Sequence, residues 1–165
     1  MIYRALGVLL SHSGLSIALV EFHENAGLWT FEVKTNNSYP GGNINSLIPQ
    51  FLEENNLGYK VALVTIHSDM YDITFNGASI AATTELPVIS DLPVLDRELG
   101  GNGEFYSSCF QKLNLDSGDN TDLNKTVCVA FMGVLRWREE YNFLSSVTGA
   151  TRSNIGGAVW LGQDA

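Results

Sequence analysis

Basic residues are scarce in this chain: nine Lys and Arg stand against eighteen Asp and Glu, a formal net charge of −9. A field of that sign repels polyphosphate backbones and anionic membrane surfaces, so neither nucleic acid nor membrane is an expected partner. The one basic cluster, Arg136 and Arg138 around Trp137, is interleaved with Glu139 and Glu140. It falls late in a predicted helix, where cations complement the helix dipole. Cysteine is sparser still. Cys109 and Cys128 have no short ligand spacing and no nearby His pair, which argues against a zinc site and against a disulfide framework. No metal site is expected. Long apolar runs are missing too; none approaches the ~20 residues of a membrane span. The opening M-I-Y-R-A-L-G-V-L-L has no basic lead and no small-residue cleavage site, so it reads as a first strand rather than a signal peptide. A cytoplasmic location follows by default.

What is present suffices for one domain over residues 1–165 with a core of its own. Tyr3–Leu10, Leu15–Phe22 and Leu28–Thr35 read as strands joined by the short turns at Ser11–Gly14 and Asn25–Gly27, an antiparallel meander. The third alternates Trp29, Phe31 and Val33 against Thr30, Glu32 and Lys34. A helix from about Asn43 to Asn55 follows, with Leu47, Ile48, Phe51 and Leu52 as its buried stripe. Lys60–His67 is rich in β-branched residues and comes after a helix, which makes it parallel to the first strand. A small-residue helix spans Gly77–Thr84, and a longer one, N-capped at Thr121, runs to Arg138 with Leu123, Val127, Ala130, Phe131, Val134 and Leu135 on one face.

The stretch Ile80–Gly103 organises the rest. Pro87 forbids helix just before it and is tolerated at a strand start, so Val88–Ser90 reads as a short buried strand. Asp91 and Pro93 then mark a turn, and Gly100, Gly101 and Gly103 supply positive φ or close backbone approach. Polar and glycine residues beyond the carboxyl end of a strand are where α/β sheets hold ligands. Asp91 and Asp96 suit turn and cap duties better than catalysis.

Two stretches resemble one family. I-A-A-T-T-E-L-P-V-I-S-D-L-P-V-L-D-R-E-L-G-G-N-G, residues 80–103, is similar to a segment of the anhydro-N-acetylmuramic acid kinases, and A-F-M-G-V-L-R-W-R-E-E-Y-N-F-L-S-S-V-T-G-A-T-R, Ala130–Arg152, to their C-terminal helix and tail. The resemblance implies one ribonuclease-H-like lobe of the actin and sugar-kinase superfamily, a mixed sheet with flanking helices. It also implies a family activity, ATP- and magnesium-dependent phosphorylation of an anhydro-sugar in cell-wall recycling. The segments that would hold the catalytic base and nucleotide have no counterpart here. Ser11, Ser13 and Gly14 are the remnant of a phosphate turn; His67 is what persists of a sugar-contacting motif, and its role is open between binding and structure. Pro93 stands where the family has an arginine, and Lys125 where it has a glutamate. No catalytic residue and no bound ATP or magnesium are then expected.

The function implied is a degenerate, non-catalytic kinase homologue that serves as a binding or assembly module. The alternatives are a weak muramic-acid-type sugar binder using His67, Ser90 and Asp91, and a kinase completed by oligomerisation. The expected partners are a second copy, joined through the C-terminal helix and tail where Trp137, Tyr141, Phe143, Val159, Trp160 and Leu161 concentrate, or a full-length kinase homologue.

Overall fold

A computed structural model describes residues 1–57, 60–70, 75–116 and 118–162. Ser117, in the polar stretch D-S-G-D-N (Asp116–Asn120) that reads as the loop ahead of the Thr121 N-cap, lies outside them.

Six strands form one mixed sheet. β1 (Ile2–Ser11), β2 (Gly14–Asn25) and β3 (Leu28–Tyr39) make the antiparallel meander, β4 (Leu63–Ser68) and β5 (Val88–Ser90) lie parallel to β1, and β6 (Ala158–Trp160) closes the far edge antiparallel to β5. The order across the sheet is β3-β2-β1-β4-β5-β6. Helices α1 (Ile44–Glu54) and α2 (Gly77–Thr84) provide the crossovers that parallel pairing requires. Short α3 (Val94–Glu98) and α4 (Tyr106–Lys112) come next, then α5 (Asp122–Trp137) and the single turn α6 (Ser145–Thr148).

The apolar runs of β1, β2 and β4 are continuous because both faces of these strands are covered. Ala5, Leu9, Ala18, Val20, Phe22 and Leu63 face α5, while Leu6, Val8, Ile17, Val64 and Ile66 face α1 and α2. β3 alternates because only its Trp29, Phe31 and Val33 face packs, against the α5 layer. Side-chain caps set the helix starts: Asn43 accepts from the amide of Asn45, Asn76 from that of Ser79 and Thr121 from that of Asn124. Left-handed Glu85 ends α2 just before Pro87, as the sequence requires.

The structure departs from the sequence reading after Asp91. α3 and α4 are absent from that reading, and so is β6, which the apolar end of the tail forms. Both helices are too short to show a periodic apolar stripe. No helix among the described residues is long and apolar enough to cross a membrane.

Candidate functional site

β1, β4 and β5 run the same way, so their carboxyl ends open on one edge of the sheet, and the N-terminal turn of antiparallel α5 meets them there. A cleft of about 300 Å³ lies over the ends of β4 and β5, walled by α3 and the segment leading into α4. His67, Ser90 and Asp91, carried by different strands and turns, all line it. Ser11, Ser13 and Gly14 do not. They form the β1–β2 hairpin, where Ser11 pairs with Gly14, its hydroxyl receives the Ser13 amide at 3.2 Å and donates to Asp122 at 3.2 Å, and Gly14 (φ +112°) leaves no room for a side chain against Tyr39 O.

His67 leads into a network that the sequence does not announce. Its Nε2 lies 3.2 Å from Asp69 Oδ1, and the Tyr106 hydroxyl donates to that oxygen at 2.9 Å. Lys125 Nζ approaches Asp69 Oδ2 at 4.0 Å and stands 5.3 Å from the Tyr106 ring centre. Phe105 packs edge-on against the His67 ring, 5.0 Å between centres. An ionised carboxylate only accepts, so His67 presents a protonated Nε2 to it. Burial acts to raise the Asp69 pKa, but the hydrogen bonds from His67 and Tyr106, aided by the charges of His67 and Lys125, hold it below its usual value. Burial first, and then the Asp69 charge and hydrogen bond, push the Tyr106 phenol far upward, so it remains a donor. No group of three or more His, Cys, Asp or Glu among the described residues could hold a metal ion.

A second chain of hydrogen bonds runs along the other wall. The Trp160 indole donates to Ser90 Oγ at 3.1 Å, and Ser90 donates to Asp91 Oδ2 at 2.9 Å. An indole N–H can only donate and a carboxylate only accept, which fixes the serine proton toward Asp91. Asp91 is left-handed (φ 55°), a conformation that Asp tolerates better than most residues. Below the cleft, buried Asp96 accepts from Gly103 N (3.0 Å), Thr148 Oγ1 (2.9 Å) and Asn154 Nδ2 (2.8 Å), which is the cap-like duty expected of it.

The sequence reading missed Asp69, Tyr106, Arg97 and Trp160. Asp69 shows a faint signal, two residues beyond His67 at the end of a strand. Tyr106 and Arg97 sit on helices too short to be seen, and Trp160 acts from a strand 70 residues beyond Ser90.

No protein-family model and no curated protein matches the chain. Among solved structures it is similar to RuvC of Thermus thermophilus, at 12% identity and a TM-score of 0.55, over 84% of this chain and 96% of that one. It is also similar to T. thermophilus RuvC in complex with a Holliday junction substrate, at 10% identity and a TM-score of 0.48, over 83% and 96%. Identity this low speaks for the fold alone, a ribonuclease-H-like mixed sheet with flanking helices.

These findings correct the expected membership of the anhydro-N-acetylmuramic acid kinase family and the function built on it: the solved structure that the fold resembles is RuvC, and no family model or curated protein supports a kinase. The motifs that carried the resemblance have local structural explanations. E-L-P-V-I-S-D encodes the left-handed cap at Glu85, a proline-led buried strand and the left-handed turn at Asp91. G-G-N-G supplies the positive φ of Gly100 and Gly103, and S-V-T-G-A-T-R the left-handed cap of α6 at Gly149 together with Thr148, which binds Asp96. The exclusion of nucleic acid does not stand either, since it rested on net charge alone; the structure recorded with a Holliday junction substrate is that of RuvC. Of the C-terminal residues expected to be bare, Trp137, Tyr141, Trp160 and Leu161 are exposed, whereas Phe143 is fully buried in its own chain.

Proposed function

We propose that the chain is a binding module whose site is the cleft at the carboxyl ends of β4 and β5, taking a small polar molecule with one apolar face. The convergence of His67, Ser90 and Asp91 on that cleft carries the reading. Strand ends of an open α/β sheet are the usual place for a ligand, and a cleft with apolar walls and a few oriented polar groups is the usual form. Phe75, Val94 and Phe105 supply the walls. Binding is favoured over catalysis because Asp69, the carboxylate beside His67, is already engaged by three partners and holds its charge weakly basic. The reading calls on no nucleotide or metal, and it does not depend on the narrower actin and sugar-kinase assignment of the fold.

Saturation-transfer NMR with a library of nucleosides, polyols, amino acids and carboxylic acids tests it, with a four-way DNA junction included as a competitor. Hits that weaken in His67→Ala are expected. Absence of hits, or hits indifferent to that substitution, overturns the reading. So does a junction that binds more tightly than every small molecule and does so without His67.

A further inference from the structure

Three carboxylates and two basic side chains line the cleft: Asp69, Asp91, Glu104, His67 and Arg97. Most are already occupied. Asp69 holds His67, Tyr106 and Lys125, and Glu104 accepts from the amide and hydroxyl of Ser107 at 2.9 and 2.6 Å. Asp91 uses only Oδ2, on Ser90. Its Oδ1 and the whole guanidinium of Arg97 have no hydrogen-bond or ion-pair partner among the described residues.

Those two opposite charges face one small space without pairing with each other. The Trp160–Ser90 relay orients the Asp91 carboxylate, and the missing side chain of Gly103 lets Arg97 lie against that residue, since a Cβ there would come within 2.9 Å of Arg97 Nε. Apolar Phe75, Val94 and Phe105 line the same cleft.

We propose that the ligand of this cleft is a zwitterion of the α-amino-acid type, its ammonium received by Asp91, its carboxylate by Arg97, and its apolar side chain by the Phe75–Phe105 wall. The inference rests on the cleft being a binding site and adds the class of molecule. An ammonium supplies the donors that Asp91 Oδ1 lacks, and a guanidinium matches a carboxylate in a two-pronged geometry. Neutral polyols would leave both charges without counter-charge, and simple anions or cations would satisfy one of the two.

Calorimetric titration of the full chain with L-phenylalanine, N-acetyl-L-phenylalanine and L-phenylalanine amide tests the proposal. The free amino acid binds, and masking either charge weakens binding at least about tenfold, the worth of one charge-assisted hydrogen bond. Asp91→Asn, which suits the left-handed backbone, loses the discrimination against the N-acetyl compound. Arg97→Gln loses that against the amide. Masked compounds binding as well as the free amino acid, no binding of L-phenylalanine, or discrimination unchanged in both variants would each overturn it. If other small molecules still bind in a His67-dependent way while L-phenylalanine does not, the zwitterion is wrong and the cleft reading stands. If nothing binds, both fall.

Discussion

Asp69 is a carboxylate whose burial and whose partners pull in opposite directions, and the partners win. Its folded pKa lies below the unfolded one. The stabilisation it contributes is therefore complete above the ordinary carboxylate range and is lost as pH falls through the lowered value. Tyr106→Phe removes one of the hydrogen bonds responsible. At pH 7 it should destabilise the protein by about 1.5–3 kcal/mol, the usual worth of a hydrogen bond to a charged group. The acid loss of stability should also shrink, because the Asp69 pKa moves back toward normal. Urea titrations at pH 7 and pH 3.5 check this, and equal pH dependence in the two proteins would refute it. Thr65 presents the opposite case: its Oγ1 is buried without a hydrogen-bond partner among the described residues. Replacing it with Val removes an unsatisfied polar atom at nearly constant volume, so Thr65→Val should be neutral or stabilising by up to ~1 kcal/mol. A loss above ~1 kcal/mol would mean that the hydroxyl has a partner after all.

At the scale of elements, α5 is placed by what is missing beneath it. Gly7 on β1 has no side chain, and a Cβ there would run into the carbonyl of Thr126. Gly133 on α5 likewise lies against Thr65 Oγ1 of β4. The two glycines let the helix settle onto the sheet, and Val127, Ala130, Phe131 and Val134 are buried as a result. Alanine ordinarily favours a helix interior by about 1 kcal/mol over glycine. Gly133→Ala should nevertheless destabilise by about 1–3 kcal/mol, because the added methyl overpacks a contact with no slack. Thermal unfolding decides the sign; a rise in midpoint would show that α5 can lift without penalty. The elements that made themselves legible were those with a long period. The strands of the meander, α1, α2, the Val88–Ser90 strand and α5 appear where alternation, caps and Pro87 put them. Expected Lys60–His67 is observed as β4 from Leu63 to Ser68, a shift within the ordinary uncertainty of boundaries read from sequence. Within the cleft, only the residues at the ends of those legible strands, His67, Ser90 and Asp91, could be named. Their partners Tyr106, Arg97 and Trp160 come from segments of three to seven residues, whose placement is decided by tertiary contact rather than by pattern.

The whole molecule is closed by one buried carboxylate. Asp96 is fully enclosed, and its three donors come from the cleft wall at Gly103 and from the tail at Thr148 and Asn154, 52 and 58 residues away in the chain. The tail is held further by Asn142, whose amide bonds Gly156 in both directions, and by Arg136 on the Gly157 carbonyl at 2.9 Å. Nothing in the local sequence demands this clasp; S-V-T-G-A-T-R-S-N becomes intelligible only once Asp96 stands opposite it. Asp96→Ala would leave an amide, a hydroxyl and a carboxamide N–H buried without an acceptor. At ~1–3 kcal/mol for each unmet group, partly relieved by entering water, the loss should be about 3–5 kcal/mol. With about 2–4 °C of midpoint per kcal/mol in a chain of this size, melting should fall by roughly 10 °C. Hydrogen exchange should accelerate first at Asn102, Gly103 and residues 142–157, the segments that the carboxylate ties together. A midpoint within ~2 °C of the parent would show that the tail is held by β6 and Asn142 alone, and that Asp96 is incidental to how the chain closes on its cleft.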